Sequence, residues 1–511
     1  MSICQVSPTN IKVRAHKGRI TAVFMLVALS DYLAYGREPG FNLFVLAAGL
    51  TVAVLALSRR QLTLTSKLLL LSLSVLGSLP LLETVTTLGI AIATCTVMST
   101  ALACSGMIPR SWSRMSVVLI RFAFALPLPI VEACWRQFLS PRHDSSMLAI
   151  GRAIALWMLP LTLASVFLVL FSIANPLIEQ TIRDIDVTLV LQLFDLWRIG
   201  FWLVVATCVW AMLRPKLARR ISRRGPRSEC AIRVANPLLG HGFLLRSLIL
   251  FNALFAVQSS LDIIYLWSGA NLPDGLTHAE YAHRGAYPLI ATALLAAAFM
   301  LVTMKRGGPG DSSFLIRGLV FAWIAQNILL CLSSLLRLDL YVGAYSLTEM
   351  RVAAGIWMGM VAVGLFLILL RFILRLSNEW LIAANMAVLV CVLYVCALVD
   401  LPGVIARFNV LHSYEVSGEG IMLDFDYIAS LGTSSIPAVD LYIARLAPAD
   451  TAYSGPMLFR AQQVRQSLVG EFERLPKDWR SWTFRGARLE AYLQSTVATS
   501  RENRENGNRQ F

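Results

Sequence analysis

The chain reads as all-α, a polytopic helical membrane bundle of about 11 transmembrane helices followed by a small, mainly helical extracytoplasmic C-terminal domain. Three observations predict this. Apolar residues fill 57% of the 511 positions, charged residues only 15%, and mean hydropathy is +0.65, all far from soluble composition. Apolar runs of spanning length recur as far as Asp400. Between them, Lys and Arg concentrate in every second loop.

A helix needs about 20 mostly apolar residues to cross the hydrocarbon core. Residues 1–19 form a basic cytoplasmic segment, and spans are expected at 20–35, 41–57, 65–82, 85–104, 153–175 and 194–213, the N-terminal membrane half. A basic cytoplasmic loop, 214–243, separates this from a C-terminal half, 244–400, with spans at 244–267, 286–304, 314–336, 352–374 and 381–400. The first two spans are short. The basic start followed by Ile20 to Ser30 also has the form of a cleavable signal, which would leave the remaining topology unchanged.

Counting loops from a cytoplasmic N-terminus, positive charge falls at Lys12 to Arg19, Arg59 to Lys67, Arg110 to Arg152, Arg214 to Arg246, Lys305 to Arg317, and Arg371 with Arg375. The opposite loops hold only Arg37, Arg183, Arg198, Arg284, Arg337 and Arg351. This asymmetry places the N-terminus inside and the C-terminus outside, and it accounts for most of the net charge of +15. None of the nine cysteines lies in an outer loop or the tail, so no disulfide framework is expected.

Two further apolar stretches are not read as spans. Val117 to Leu139 contains Arg121, Pro127, Pro129 and Glu132, and a crossing there would invert the charge pattern; it reads as an inner interfacial or re-entrant segment broken at the prolines. Pro176 to Leu193 has the spacing of an amphipathic helix on the outer surface. Beyond Asp400 the composition turns polar. Residues 401–500 are long enough for a small outer domain with helices at Leu423 to Leu431, Pro437 to Leu446, Met457 to Arg474 and Ser481 to Val497; 501–511 reads as a disordered tail.

Candidate chemistry gathers in two outer loops. One holds His278, Glu280, Tyr281, His283 and Arg284; the other holds Arg337, Asp339, Glu349 and Arg351. Thr277 with Glu280, and Ser346 with Glu349, have capping-box spacing before apolar runs, so both loops are explained as helix starts. The alternative is an anion site at two adjacent helix N-termini, with histidine as a proton carrier. No metal is expected, since His278 and His283 stand about 140° apart on a helix and His-x-Glu-x-x-His is not the zincin order. No cofactor fingerprint, Walker loop or nucleophile elbow is present, and the Gly-rich Lys305 to Asp311 is explained as a turn.

Intramembrane polar residues mark a second candidate region: Asp262, Gln326 and Asn327. Asp262 has Arg284 or Arg351 as expected partners. Asp195 and Arg198, three apart at the start of a span, are expected to pair with each other, and Gly355 with Gly359 to serve helix packing.

The loop GLTHAEYAHRGAYPL, the later YSLTEMR, and IARFNV followed by LDFDYIASLGTSSIPAVD resemble a family of bacterial multi-pass membrane proteins catalogued as domain of unknown function 4173, related to 4153. The likeness covers about Leu244 to Leu446 and is specific in Ala279 to Gly285 and Tyr345 to Arg351. It implies architecture and a bacterial inner-membrane location, and it transfers no catalytic residues.

The leading functional expectation is a non-enzymatic envelope scaffold, sensor or assembly component with the tail as its interaction module. An envelope enzyme or lipid-modifying transferase at the outer loops comes second, a transporter third. Expected partners are the lipid bilayer, anionic headgroups at Arg214 to Arg233, and an envelope protein at the C-terminal domain. The basic loop lacks interleaved aromatics, which argues against nucleic acid.

Overall fold

The computed structural model describes residues 8–58, 60–108, 112–126, 195–213, 241–268, 314–446 and 454–508, with isolated positions at 157, 160, 162–164, 167 and 295. Apart from those isolated positions, the expected spans 153–175 and 286–304 lie outside the described residues, as do the segment Pro176 to Leu193 and the basic loop Arg214 to Arg233. Among those residues the fold is wholly helical, without strands. Seven helical stretches are long and apolar enough to cross a membrane: Leu64–Glu83, Thr87–Cys104, Leu196–Leu213, Gly242–Trp267, Phe314–Tyr345, Glu349–Ile373 and Asn378–Leu398. Each coincides with an expected span. The span expected at 41–57 is a shorter apolar helix, and that at 20–35 is the end of a longer one.

The chain divides into two compact units, one of residues 1–110, 114–225 and 478–484, the other of 111–113, 226–477 and 485–511. The first contains α1 (Pro8–Ala34), α2 (Phe41–Ala56), α3 (Leu64–Ser78) with its one-turn extension α4 (Pro80–Glu83), α5 (Thr87–Cys104), most of α6 (Trp112–Ala125) and α7 (Leu196–Leu213). Short turns join α1 to α5, and the caps are local. Thr63 accepts the Ser66 N–H at 3.3 Å and Thr86 that of Gly89 at 3.0 Å. α5 closes on Gly106, whose left-handed φ of 69° allows Met107 to bond back to the Leu102 carbonyl at 3.0 Å.

The core of this unit joins Leu26, Val54, Val97, Met98, Leu102, Phe122 and Met212. Small residues let the helices approach, as where Thr51 and Ser74 hydroxyls meet at 2.7 Å between α2 and α3. α6 is amphipathic, burying Val118 and Phe122 while exposing Ile120 and Phe124, and it stops at Ala125, ahead of Pro127.

The second unit contains α8 (His241–Asp262), extended by a π-turn (Ile263–Trp267), then α9 (Phe314–Tyr345), α10 (Glu349–Ile373) and α11 (Asn378–Leu398). α9 outruns its expected span by nine residues, continuing through Arg337 and Asp339 to Tyr345. α11 shows outward apolar side chains such as Val390 and Val395, as a helix facing lipid does.

After Val399 and Asp400 the chain forms α12 (Leu401–Leu411), the short α13 (Tyr414–Ser417) and α14 (Phe425–Ser430), then α15 (Ile436–Leu446), α16 (Ser454–Arg474) and α17 (Phe484–Asn508). α17 extends to Asn508, through part of the stretch that composition assigns to a tail. These helices close over Ile405, Val410, Phe425, Ile428, Val439 and Tyr442. Asp440 of α15 accepts from Arg465 of α16, through Nε and at 3.3 Å through Nη2, and from the Tyr492 hydroxyl of α17 at 3.0 Å.

Burial, and then the Asp440 charge, raise the Tyr492 phenol above its ordinary value of 10.0, and burial beside Glu415 raises Tyr442 as well. Both phenols therefore hold their protons more tightly when folded. The stability this confers is complete below about pH 10 and is lost as pH climbs through the raised values. Helical circular dichroism of the full-length protein in detergent is expected to fall in that alkaline window, and in Tyr492→Phe the fall should shift to higher pH. An unchanged alkaline profile in the variant would contradict this.

Candidate functional site

His278, Glu280, Tyr281, His283 and Arg284 lie outside the described residues. The other candidate loop, 345–351, is fully described and differs from its expected form. The N-cap of α10 is Thr348, which accepts the Arg351 N–H at 3.4 Å, and Ser346 instead takes a left-handed φ of 65°. The capping box expected from Ser346 and Glu349 is thus not formed: the N-cap lies two residues on, because the turn consumes Ser346.

Arg351 turns back onto the end of α9. Its Nη1 donates to the Tyr345 carbonyl at 2.6 Å and to that of Ser346, and its guanidinium stands 4.6 Å from the Tyr341 ring centre. A cation here satisfies C-terminal carbonyls and the helix dipole together. Leu347 is gripped by the buried Asn409 of α12, whose side chain accepts its N–H at 2.8 Å and donates to its carbonyl at 2.9 Å. The Glu349 N–H goes to the Tyr427 hydroxyl at 3.0 Å. Asp339 and the Glu349 side chain are exposed. The described half of the candidate anion site is therefore a fastening, with Arg351 and two turn N–H groups already engaged.

Arg284 lies outside the described residues, and Asp262 does not pair with Arg351, which is engaged at the end of α9. Its carboxylate meets Arg337 of α9, with 0% and 3% of the two residues exposed. Hydropathy places Arg337 in a loop because apolar character fades there, yet the helix continues and carries it into the bundle. Gln258 donates to Asp262 at 3.0 Å, and beyond it the π-turn swings Trp267 so that its indole N–H reaches Ser333 at 3.1 Å. Asn252 donates to the Leu248 and Leu319 carbonyls at 2.7 and 3.0 Å, Gln326 to the Asn252 carbonyl at 3.3 Å, and Asn327 to that of Trp323 at 2.8 Å. Asp262 and Gln326 thus bond across the contact between α8 and α9, and Asn327 bonds back within α9. Trp323, stacked 5.2 Å from Phe251, packs at this contact.

In the first unit, Arg198 donates to Asp31 of α1 at 2.8 Å through Nε and 2.5 Å through Nη2, joined there by the Trp202 indole at 2.8 Å. Asp195 instead caps α7, taking the Arg198 N–H at 3.0 Å, and receives the Tyr35 hydroxyl at 2.6 Å. The expected Asp195–Arg198 side-chain pair is replaced by this wider cluster. Asp31 within an apolar run was the available signal. Gly355 packs against Leu338 of α9, whereas a Cβ at Gly359 would meet nothing within 4 Å among the described residues, so the GxxxG pair shows one packing position there.

Apolar helices of spanning length, with charge pairs and carboxamides turned inward between them, define a polytopic helical protein of the membrane type. More narrowly, the chain belongs to the family described as a domain of unknown function, DUF4153, whose model matches residues 67–442. The match reaches back well beyond the Leu244 at which the sequence motifs begin, and it ends inside α15. Comparisons with curated proteins and with solved structures give no match.

Proposed function

We propose that this protein is a non-enzymatic scaffold or assembly component of the bacterial inner membrane, with residues 401–500 forming an extracytoplasmic platform for an envelope partner. The observation that carries the proposal is the two-way hydrogen bond between Asn409 and Leu347, which fastens the tail to the turn between two membrane helices. A tail held in this way is a rigid extension of the bundle. The enzyme reading loses support from the same turn, since Arg351 is spent on carbonyls and aromatic rings.

Helix directions support eleven crossings. α1, α2, α3 and α5 alternate through short turns, and α7 runs antiparallel to α1, bringing Asp195 and Arg198 to Asp31 and Tyr35. α5 and α7 are then parallel, which suits one return crossing at 153–175 with Val117 to Leu139 remaining on one side. α8 and α9 are parallel too, with Asn252 meeting Leu319 and Asp262 meeting Arg337, and this suits a return at 286–304. Six crossings and five put the termini on opposite sides, and loop charge then favours a cytoplasmic N-terminus. The run Arg214 to Arg233 is suited to anionic headgroups.

Exposed apolar side chains on the tail, Met422 and Phe459, are suited to a protein contact. Affinity capture from mild detergent is expected to recover a stable partner that Met422→Asp and Phe459→Asp release, with both variants keeping the wild-type elution profile. Absence of a partner, or retention of it by both variants, would count against the platform.

A further inference from the structure

We propose that the seam between α8 and α9 is a binding site for a small monovalent cation, held by the carboxamide oxygens of Asn252, Gln326 and Asn327. All three amide nitrogens donate to backbone carbonyls, at 2.7 to 3.3 Å. A carbonyl only accepts, so these bonds fix which end of each carboxamide is nitrogen. The opposite ends, Asn252 Oδ1, Gln326 Oε1 and Asn327 Oδ1, are buried and have no hydrogen-bond partner among the described residues. Asn327 is 1% exposed. The hydroxyl of Ser259, also buried, has no partner among the described residues, although the neighbouring Ser260 bonds to the carbonyl four residues back at 2.8 Å.

An unpartnered buried acceptor is costly, so three of them on two packed helices call for a guest. The three carboxamide oxygens can only accept, which favours a cation over an anion at them. Neutral oxygens are hard ligands, which disfavours metals that prefer nitrogen or sulfur. The nearby carboxylate, Asp262, is already neutralised by Arg337, so no net negative charge remains to hold a divalent ion. Carboxamide oxygens with their dipoles fixed by backbone bonds can replace the hydration shell of sodium or potassium, as carbonyl oxygens do in selective pores. Such an ion ties α8 to α9 through all three side chains.

The test uses the full-length protein in detergent, with thermal unfolding followed in NaCl, KCl and choline chloride at equal ionic strength. A saturable rise of several degrees is expected with sodium or potassium and not with choline. In Asn327→Leu and Gln326→Leu that rise should vanish. Identical unfolding of the wild type in all three salts would overturn the proposal and leave water as the guest. A cation response retained in either folded variant would overturn it equally. Should both variants misfold, Asn252→Leu and the wild-type salt series decide the matter in the same way.

Discussion

Replacing Arg337 with methionine is expected to destabilise the protein by about 3–5 kcal/mol, the usual cost of stripping one partner from a buried ion pair. The residual carboxylate of Asp262 is fully buried, and Gln258, which donates to it at 3.0 Å, is a neutral group that brings no compensating charge. Asp262→Leu should be similarly harmful, since it takes the carboxylate away from a guanidinium that is 3% exposed. The double variant Asp262→Leu with Arg337→Met is expected to recover most of the loss, because neither charge then needs solvation. Unfolding in detergent micelles, analysed as a double-mutant cycle, measures the coupling. Single variants within about 1 kcal/mol of wild type, well below that usual cost, would refute the assignment.

Gly40→Val is the second large effect, and it acts through a close approach. A Cβ at Gly40 would stand 2.4 Å from the Ser481 carbonyl carbon and 2.6 Å from its Cα, and backbone atoms cannot turn aside as a side chain does. The segment 478–484 belongs to the first unit through this contact and several others. The Phe41 N–H donates to the Trp482 carbonyl at 3.0 Å, Arg37 pairs with Asp478 at 3.8 Å, and Arg480 lies 4.1 Å from the Tyr32 ring centre. Overpacking here is expected to cost about 1–3 kcal/mol, paid locally by release of the segment. Limited trypsin digestion reads this directly, since Arg480 is buried and should become a cleavage site. Gly470→Ala, with open space around it, should leave the digest unchanged. Equal protection of Arg480 in wild type and Gly40→Val would dismiss the latch.

Hydropathy located the described spans well, because crossing lipid imposes length and apolarity on each helix independently of its neighbours. Partnership between helices was not legible in the same way. Asp262 stood out as an intramembrane charge, but its partner lay just past the point where apolar residues thin out, so Arg337 read as a loop. Asn42 gave no signal at all. It is fully buried in the α1–α2 turn, where it accepts the Gly40 N–H at 2.8 Å and donates to the Leu33 carbonyl at 2.9 Å. The spacing of Ser346 and Glu349 correctly marked a helix start yet named the wrong cap, because a left-handed residue cannot be read from Ser-Leu-Thr. Asp31 and Arg198 illustrate the general difficulty, since nothing local distinguishes a partner three residues away from one on another helix.

The parallel pairing of α8 and α9 also bears on how the protein is made. Asp262 leaves the ribosome about 75 residues before Arg337, and at about 5–20 residues per second that interval lasts roughly 4–15 s. During it, α8 carries a carboxylate and Asn252 without the helix that satisfies them. A charge within the span of a lone helix is poorly tolerated in lipid. α8 is therefore expected to wait beside the translocation channel until α9 arrives, so that the two helices enter the bilayer as a pair and a premature stop between them leaves a segment for quality control to remove.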